Sequence, residues 1–162
     1  MKNLLKNTGF DELDRAILEE LQVNGRISNA DLARKVFLSP PAVHNRIKRM
    51  ERQAIIARYV ALLDREAVGY DLLCFVYLSL DNHDAESWQQ FREAVAGMPQ
   101  VLECYQQTGD YDVVMKVVAP TREDLNRLIH HDLTGLPGVC RVKTNVVIDE
   151  IKSTTTLALK ST

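Results

Sequence analysis

No run of the 162-residue chain approaches the roughly 18 to 20 consecutive apolar residues that a membrane span needs. The opening stretch MKNLLKNTGF lacks the apolar core and small-residue cleavage site of a secretory signal, so the chain reads as cytoplasmic, with no membrane partner. Cysteine is scarce. Cys74, Cys104 and Cys140 are odd in number, far apart and set among apolar residues, which argues for buried free thiols rather than a disulfide framework. Metal-ligand spacings and a phosphate-binding glycine loop are missing as well, so no cofactor is expected. Strong net charge is also lacking, at −2, but the balance is uneven. Residues 1–60 hold 11 Lys/Arg against 7 Asp/Glu, a net +4, and the remainder holds 9 against 15, a net −6. A basic amino-terminal third joined to an acidic remainder suggests two units with different partners.

The first sixty residues carry three short helical patterns. Asp11 is a plausible N-cap for the first, with Leu13, Ile17, Leu18 and Leu21 on its apolar face, and Asn24-Gly25-Arg26 ends it. Ser28-Asn29-Ala30-Asp31 fits a capping box and announces a second, barely two turns long, whose apolar face is Leu32, Ala33 and Val36. The third begins at Ser39, whose hydroxyl suits an N-cap, followed by Pro40 at the first helical position, where its missing N–H goes unneeded. Val43, Ile47 and Met50 then recur on one face and point inward. Pro41, Asn45, Lys48 and Arg52 point away, flanked by Ala42, His44 and Arg49.

Three helices with a short second and a capped, basic third are the pattern of a helix-turn-helix, whose third helix lies in the major groove of double-stranded DNA. His44 and Asn45 are placed to read base edges, and Arg46, Lys48, Arg49 and Arg52 to neutralise phosphates. Ser28 and Asn29 at the start of the second helix, with Ser39, Pro41 and Ala42 at the start of the third, complete the expected DNA-contacting set.

Beyond an extended run from Ile55 the hydrophobic period changes. Leu72–Leu80 reads as a strand, DAESWQQFREAVAG as a helix, VLECYQQT and DVVMKVVA as strands around Gly109–Tyr111, TREDLNRLIHHDLTG as a second helix, and Val139–Ile148 as a last strand. Gly97-Met98-Pro99-Gln100-Val101 and Gly135-Leu136-Pro137-Gly138-Val139 repeat one stop signal 38 residues apart. The expected class is therefore α+β: a three-helix, winged-helix-like helix-turn-helix domain over 1–54, a linker strand over 55–71, and a ferredoxin-like βαββαβ domain over 72–162. Strands apolar on both faces leave one sheet face without cover, which predicts self-association.

These segments together resemble one known family. FDELDRAILEELQVNGRISNADLARKVFLSPPAVHNRIKRME, then ALLD, ECYQQTGDYDVVMKV, LPGV and TNVVIDEIKSTTTL, are similar in order to the Lrp/AsnC, or feast/famine, transcription regulators, from about Phe10 to Leu157. The resemblance implies a DNA-binding transcription regulator with a small-molecule effector, typically an amino acid, and homodimers that assemble to octamers. It further implies an effector site around the loop Gly109, Asp110, Tyr111 and Asp112, with effector response at Thr144, Asn145, Val146 and Val147. Asp110 and Asp112 suit an ammonium group; an ordinary hairpin turn would favour the same residue types. The chain departs from the family pattern at Phe37 and Ala54, where glycine is usual, and at Pro41 and Val43, where Thr and Cys are frequent.

Two other readings stay open on the sequence. One is an enzyme or enzyme subunit of amino-acid metabolism, for which His130-His131-Asp132 is the best cluster, although adjacent helical histidines point about 100° apart. The other is an architectural DNA-binding protein with no effector.

Overall fold

The computed structural model describes residues 11–159, so the first ten residues and last three of the expected domains lie outside the described residues. The chain forms two compact units, one of residues up to Leu62 together with those from Lys152, the other Leu63–Ile151.

In the first unit, α1 (Glu12–Val23) starts from Asp11, whose carboxylate accepts the Asp14 N–H at 2.9 Å while the Asp14 carboxylate accepts the Asp11 N–H at 3.0 Å. This reciprocal cap satisfies two donors that an open helix end would leave unpaired. Ile17 and Leu18 are buried, but Leu13, expected on the same face, is 36% exposed. The inward arc centres on Asp14, Ile17 and Leu18, and Leu13 lies about 100° from Asp14. In α2 (Asn29–Lys35) the Ser28 hydroxyl accepts the Asp31 N–H at 3.1 Å. It also donates to the Asp31 carboxylate at 2.6 Å, so that carboxylate accepts from the Ser28 hydroxyl rather than from the Ser28 amide.

Helix α3 (Pro40–Arg52) is capped by Ser39, with Pro40 in the first turn and Val43, Ile47 and Met50 buried. These residues join Ile17, Leu18, Leu32, Ala33 and Val36 in one core. Helices α2 and α3 end in the same way. Leu38 N–H reaches back to Ala33 O at 3.0 Å, and Ile55 N–H to Met50 O at 2.9 Å, each across a residue in the left-handed region: Phe37 and Ala54, both at φ 55. Both are Schellman turns, in which Leu38 and Ile55 return apolar side chains to the core. Phe37 and Ala54 thus form these turns as non-glycine residues, in a region where an L side chain is strained.

The linker strand expected over 55–71 is absent. Residues 57–64 join no ladder, and 65–69 form a turn in which Asp64 Oδ1 accepts the Glu66 and Ala67 amides. The carboxy-terminal segment, expected to close the second domain, belongs instead to the first unit. The Gln22 side-chain amide donates to Leu157 O at 3.1 Å and accepts the Leu157 N–H at 2.6 Å, while Leu159 packs on the helical core.

The second unit runs β1 (Leu72–Leu80), α4 (Ala85–Ala96), β2 (Val101–Gln106), β3 (Val113–Ala119), α5 (Arg122–Arg127) with a π-helical turn (Leu128–Leu133), and β4 (Val139–Val146). The sheet order is β2-β3-β1-β4, with every pairing antiparallel. This is the ferredoxin-like arrangement. One face presents Cys74, Val76, Leu78, Val113, Met115 and Val117 to a core that includes Trp88 and Phe91 of α4 and Leu125, Leu128 and Leu133 of the second helix. The last helix, expected as one regular element, switches to i→i+5 bonding, as in Thr134 N–H to Ile129 O at 3.3 Å. That wider turn brings Leu128 and Leu133, five apart, toward the same core. At Gly135 a Cβ would lie 2.8 Å from the His131 carbonyl oxygen, so glycine serves close approach there rather than a left-handed turn. Of the thiols expected to be buried, only Cys74 is; Cys104 and Cys140 are exposed because β2 and β4 are the sheet edges.

Candidate nucleic-acid interface

The outward side of α3 is built by its inward side. With Val43, Ile47 and Met50 fixed in the core, Pro41, His44, Asn45, Lys48 and Arg52 are exposed and Ala42 half-buried. His44 Nδ1 lies 3.4 Å from Asn29 Nδ2, so the exposed start of α2 touches the middle of α3. Lys48 pairs with Glu51 at 2.8 Å across exposed surface, a contact of small energy that competing phosphates can displace. Arg52 Nε donates to the Lys48 carbonyl oxygen at 3.3 Å.

Arg46 and Arg49 are engaged differently from the expected phosphate contacts. Arg46 Nη1 donates to both Asp11 oxygens, at 2.9 and 2.8 Å, and to Asp14 Oδ1 at 2.8 Å, while Arg49 pairs with the other Asp14 oxygen. Asp14 itself is 0% exposed. The Asp14 amide, and after it the Arg46 guanidinium, hold the Asp11 carboxyl below its ordinary value; the Asp14 and Asp11 carboxylates in turn raise that of Arg46. These arginines fasten α3 to α1. Ser28 and Ser39 are occupied as caps, though both remain exposed.

In the second unit Gly109 sits at φ 125, and Asp110 is exposed. Asp112 is committed to the fold: its N–H donates to Leu78 O at 2.9 Å, and its carboxylate accepts the Leu80 N–H at 2.8 Å and lies 2.8 Å from His83 Nε2. The Leu80 amide, then His83, hold its carboxyl below the ordinary aspartate value. Tyr111 stacks obliquely on Tyr77, ring centres 5.7 Å apart, with the Arg141 guanidinium 5.0 Å and the Lys143 ammonium 6.0 Å from its ring centre. Thr144, Asn145 and Val146 pair instead with Val76, Phe75 and Cys74, and Val147 N–H reaches Leu73 O. The two expected effector segments therefore flank opposite halves of β1, with Asp112 and Val147 on the order of 17 Å apart along the strand. Residues that sequence reading missed are Tyr77, His83, Arg141 and Lys143. The alternation of β4 around Val142 and Thr144 is the signal that puts Arg141 and Lys143 together on the face away from the helices.

The AsnC-type helix-turn-helix domain matches residues 10–51, and the Lrp/AsnC ligand binding domain matches residues 73–157. The chain is 38% identical over 152 residues to the leucine-responsive regulatory proteins of Escherichia coli strain K12 and Klebsiella pneumoniae, covering 94% of itself and 93% of each. The chain belongs to the Lrp/AsnC family of transcription regulators. A transcriptional regulator from Neisseria meningitidis solved in complex with L-Met aligns with a TM-score of 0.88 at 32% identity, over 92% of this chain and 96% of that one. An AsnC family regulator from Agrobacterium tumefaciens aligns at 0.87 and 34% identity, over 92% and 97%. This Lrp/AsnC regulator thus carries its DNA-binding helices in the first unit and its ligand-binding domain essentially in the second.

Proposed function

We propose that this regulator inserts α3 into the major groove, with His44 and Asn45 on base edges, Lys48 and Arg52 on phosphates, and Arg46 and Arg49 holding the helix in position. The observation that carries it is the exposed Asn45–Lys48–Arg52 side of a capped helix whose inward side is fixed by Val43, Ile47 and Met50 and whose Arg46 and Arg49 are held by Asp14. The effector on this reading is an amino acid: Asp110 suits its ammonium group and Arg141 or Lys143 its carboxylate. The L-Met bound by the Neisseria relative supports that ligand class. It acts by favouring one assembly of the protein over another. Phe75 and Tyr105, exposed on the sheet face away from the helices, support a homodimer, octamers being the next step of assembly, and this reading of a regulator working in the cytoplasm assigns no catalytic residues.

Fluorescence anisotropy against duplex DNA over a salt series tests the DNA half of this reading. Lys48→Ala is expected to weaken binding to all duplexes and reduce the salt slope by about one, whereas Asn45→Ala relaxes base preference more than it lowers overall affinity. A salt slope untouched by Lys48→Ala, together with unchanged preference in Asn45→Ala, would remove α3 as the DNA-contacting helix. Calorimetry against a panel of amino acids tests the effector half: no heat with any, free or on DNA, favours the architectural reading.

A further inference from the structure

Phe37 combines two unfavourable features. Its backbone lies at φ 55, where an L residue is strained against the next carbonyl, and its ring is 92% exposed. Among the described residues no burial offsets either one. The position needs only the left-handed turn that ends α2, which glycine would make without strain. Ala54 makes the same turn after α3 at the same φ with nothing larger than a methyl group, so the turn itself does not call for a ring. Non-glycine residues held in this region tend to sit where function uses them.

The location of the ring narrows the use. Phe37 stands two residues before Ser39, the N-cap of α3, and is separated from the exposed cations Arg34 and Lys35 only by the buried Val36. In helix-turn-helix docking the start of the third helix is the end that meets base edges. Thymine is the base that offers an apolar group there, the 5-methyl, and phenylalanine is among the side chains that contact it.

We propose that Phe37 is a specificity contact, its ring set against a thymine methyl at the edge of the groove that α3 occupies. The inference rests on the DNA-binding reading above and deepens it by naming a base-selective group outside the helix.

The test uses the full chain and a duplex recovered by the unmodified protein from a randomised library. Binding is compared on that duplex, on the same duplex with deoxyuridine for thymidine, and on a scrambled duplex. Phe37→Gly is expected to raise the melting temperature, by relieving the backbone, while lowering affinity for the selected duplex roughly fivefold or more. Its binding to the scrambled duplex stays within about twofold, and the uracil penalty of the unmodified protein largely disappears. Ala54→Gly, the control, gains thermal stability and binds as the unmodified protein does. Retention by Phe37→Gly of both affinity and the uracil penalty overturns the proposal. So does loss of self-association with DNA selectivity intact, which would assign the ring to a protein contact. If the unmodified chain binds no duplex in a salt-dependent way, the DNA-binding reading fails first and this inference with it.

Discussion

Asp112 shows how a residue expected at a ligand can be claimed by the fold. Its carboxylate is held below the ordinary value by the Leu80 amide first and His83 second. The folded state therefore binds this proton more weakly than the unfolded chain, and the stabilisation is complete above the unfolded aspartate value of about 3.9. It is lost as pH falls through the lower folded value. A carboxyl-carbon NMR titration is expected to place the Asp112 midpoint below that of an unperturbed aspartate. His83→Ala should move it only part of the way back, because the larger cause remains. A midpoint in the ordinary range would mean that Asp112 is free for an ammonium ligand after all.

Among elements, the join between α1 and α3 decides what the arginines do. A buried carboxylate stripped of partners is strongly destabilising; with Arg46 and Arg49 partly exposed the effect of losing one of them is discounted to about 2 kcal/mol. Arg46→Ala is thus expected to lower the denaturation midpoint while leaving the salt slope of DNA binding intact. The double variant with Asp14→Ala should cost less than the sum of the two singles. A reduced slope at unchanged stability would return Arg46 to the phosphate backbone. The helices themselves were legible in the sequence because caps are local: Asp11, Ser28 and Ser39 each act within three residues. The clamp was not legible, since Asp14 and its arginines lie 32 and 35 positions apart and periodicity sees only one helix at a time. The same blindness explains Leu13, displaced from the inner arc by an inward carboxylate. It explains the π-helical turn too, which no spacing of apolar residues distinguishes from a regular helix. For the effector site, the family likeness supplied the Gly109–Asp112 loop, while the partners of Tyr111 became visible only once β1 and β4 were paired.

At the level of the whole molecule, the helices of the second unit itself pack, among the described residues, on one side of its sheet. Its other side mixes Phe75 and Tyr105, both exposed, with Lys116, Arg141 and Lys143, and β2 forms an edge. Such a surface is expected to pair with a second copy. Tyr105→Glu should yield a smaller species in analytical ultracentrifugation at an unchanged far-ultraviolet circular dichroism spectrum. An unaltered sedimentation coefficient would put the contact elsewhere. The backbone also leaves the helical unit near Leu62 and comes back at Lys152, where Gln22 grips Leu157. The ligand-binding part is in effect an insertion held by two tethers. A single protease nick in either tether leaves the halves covalently joined.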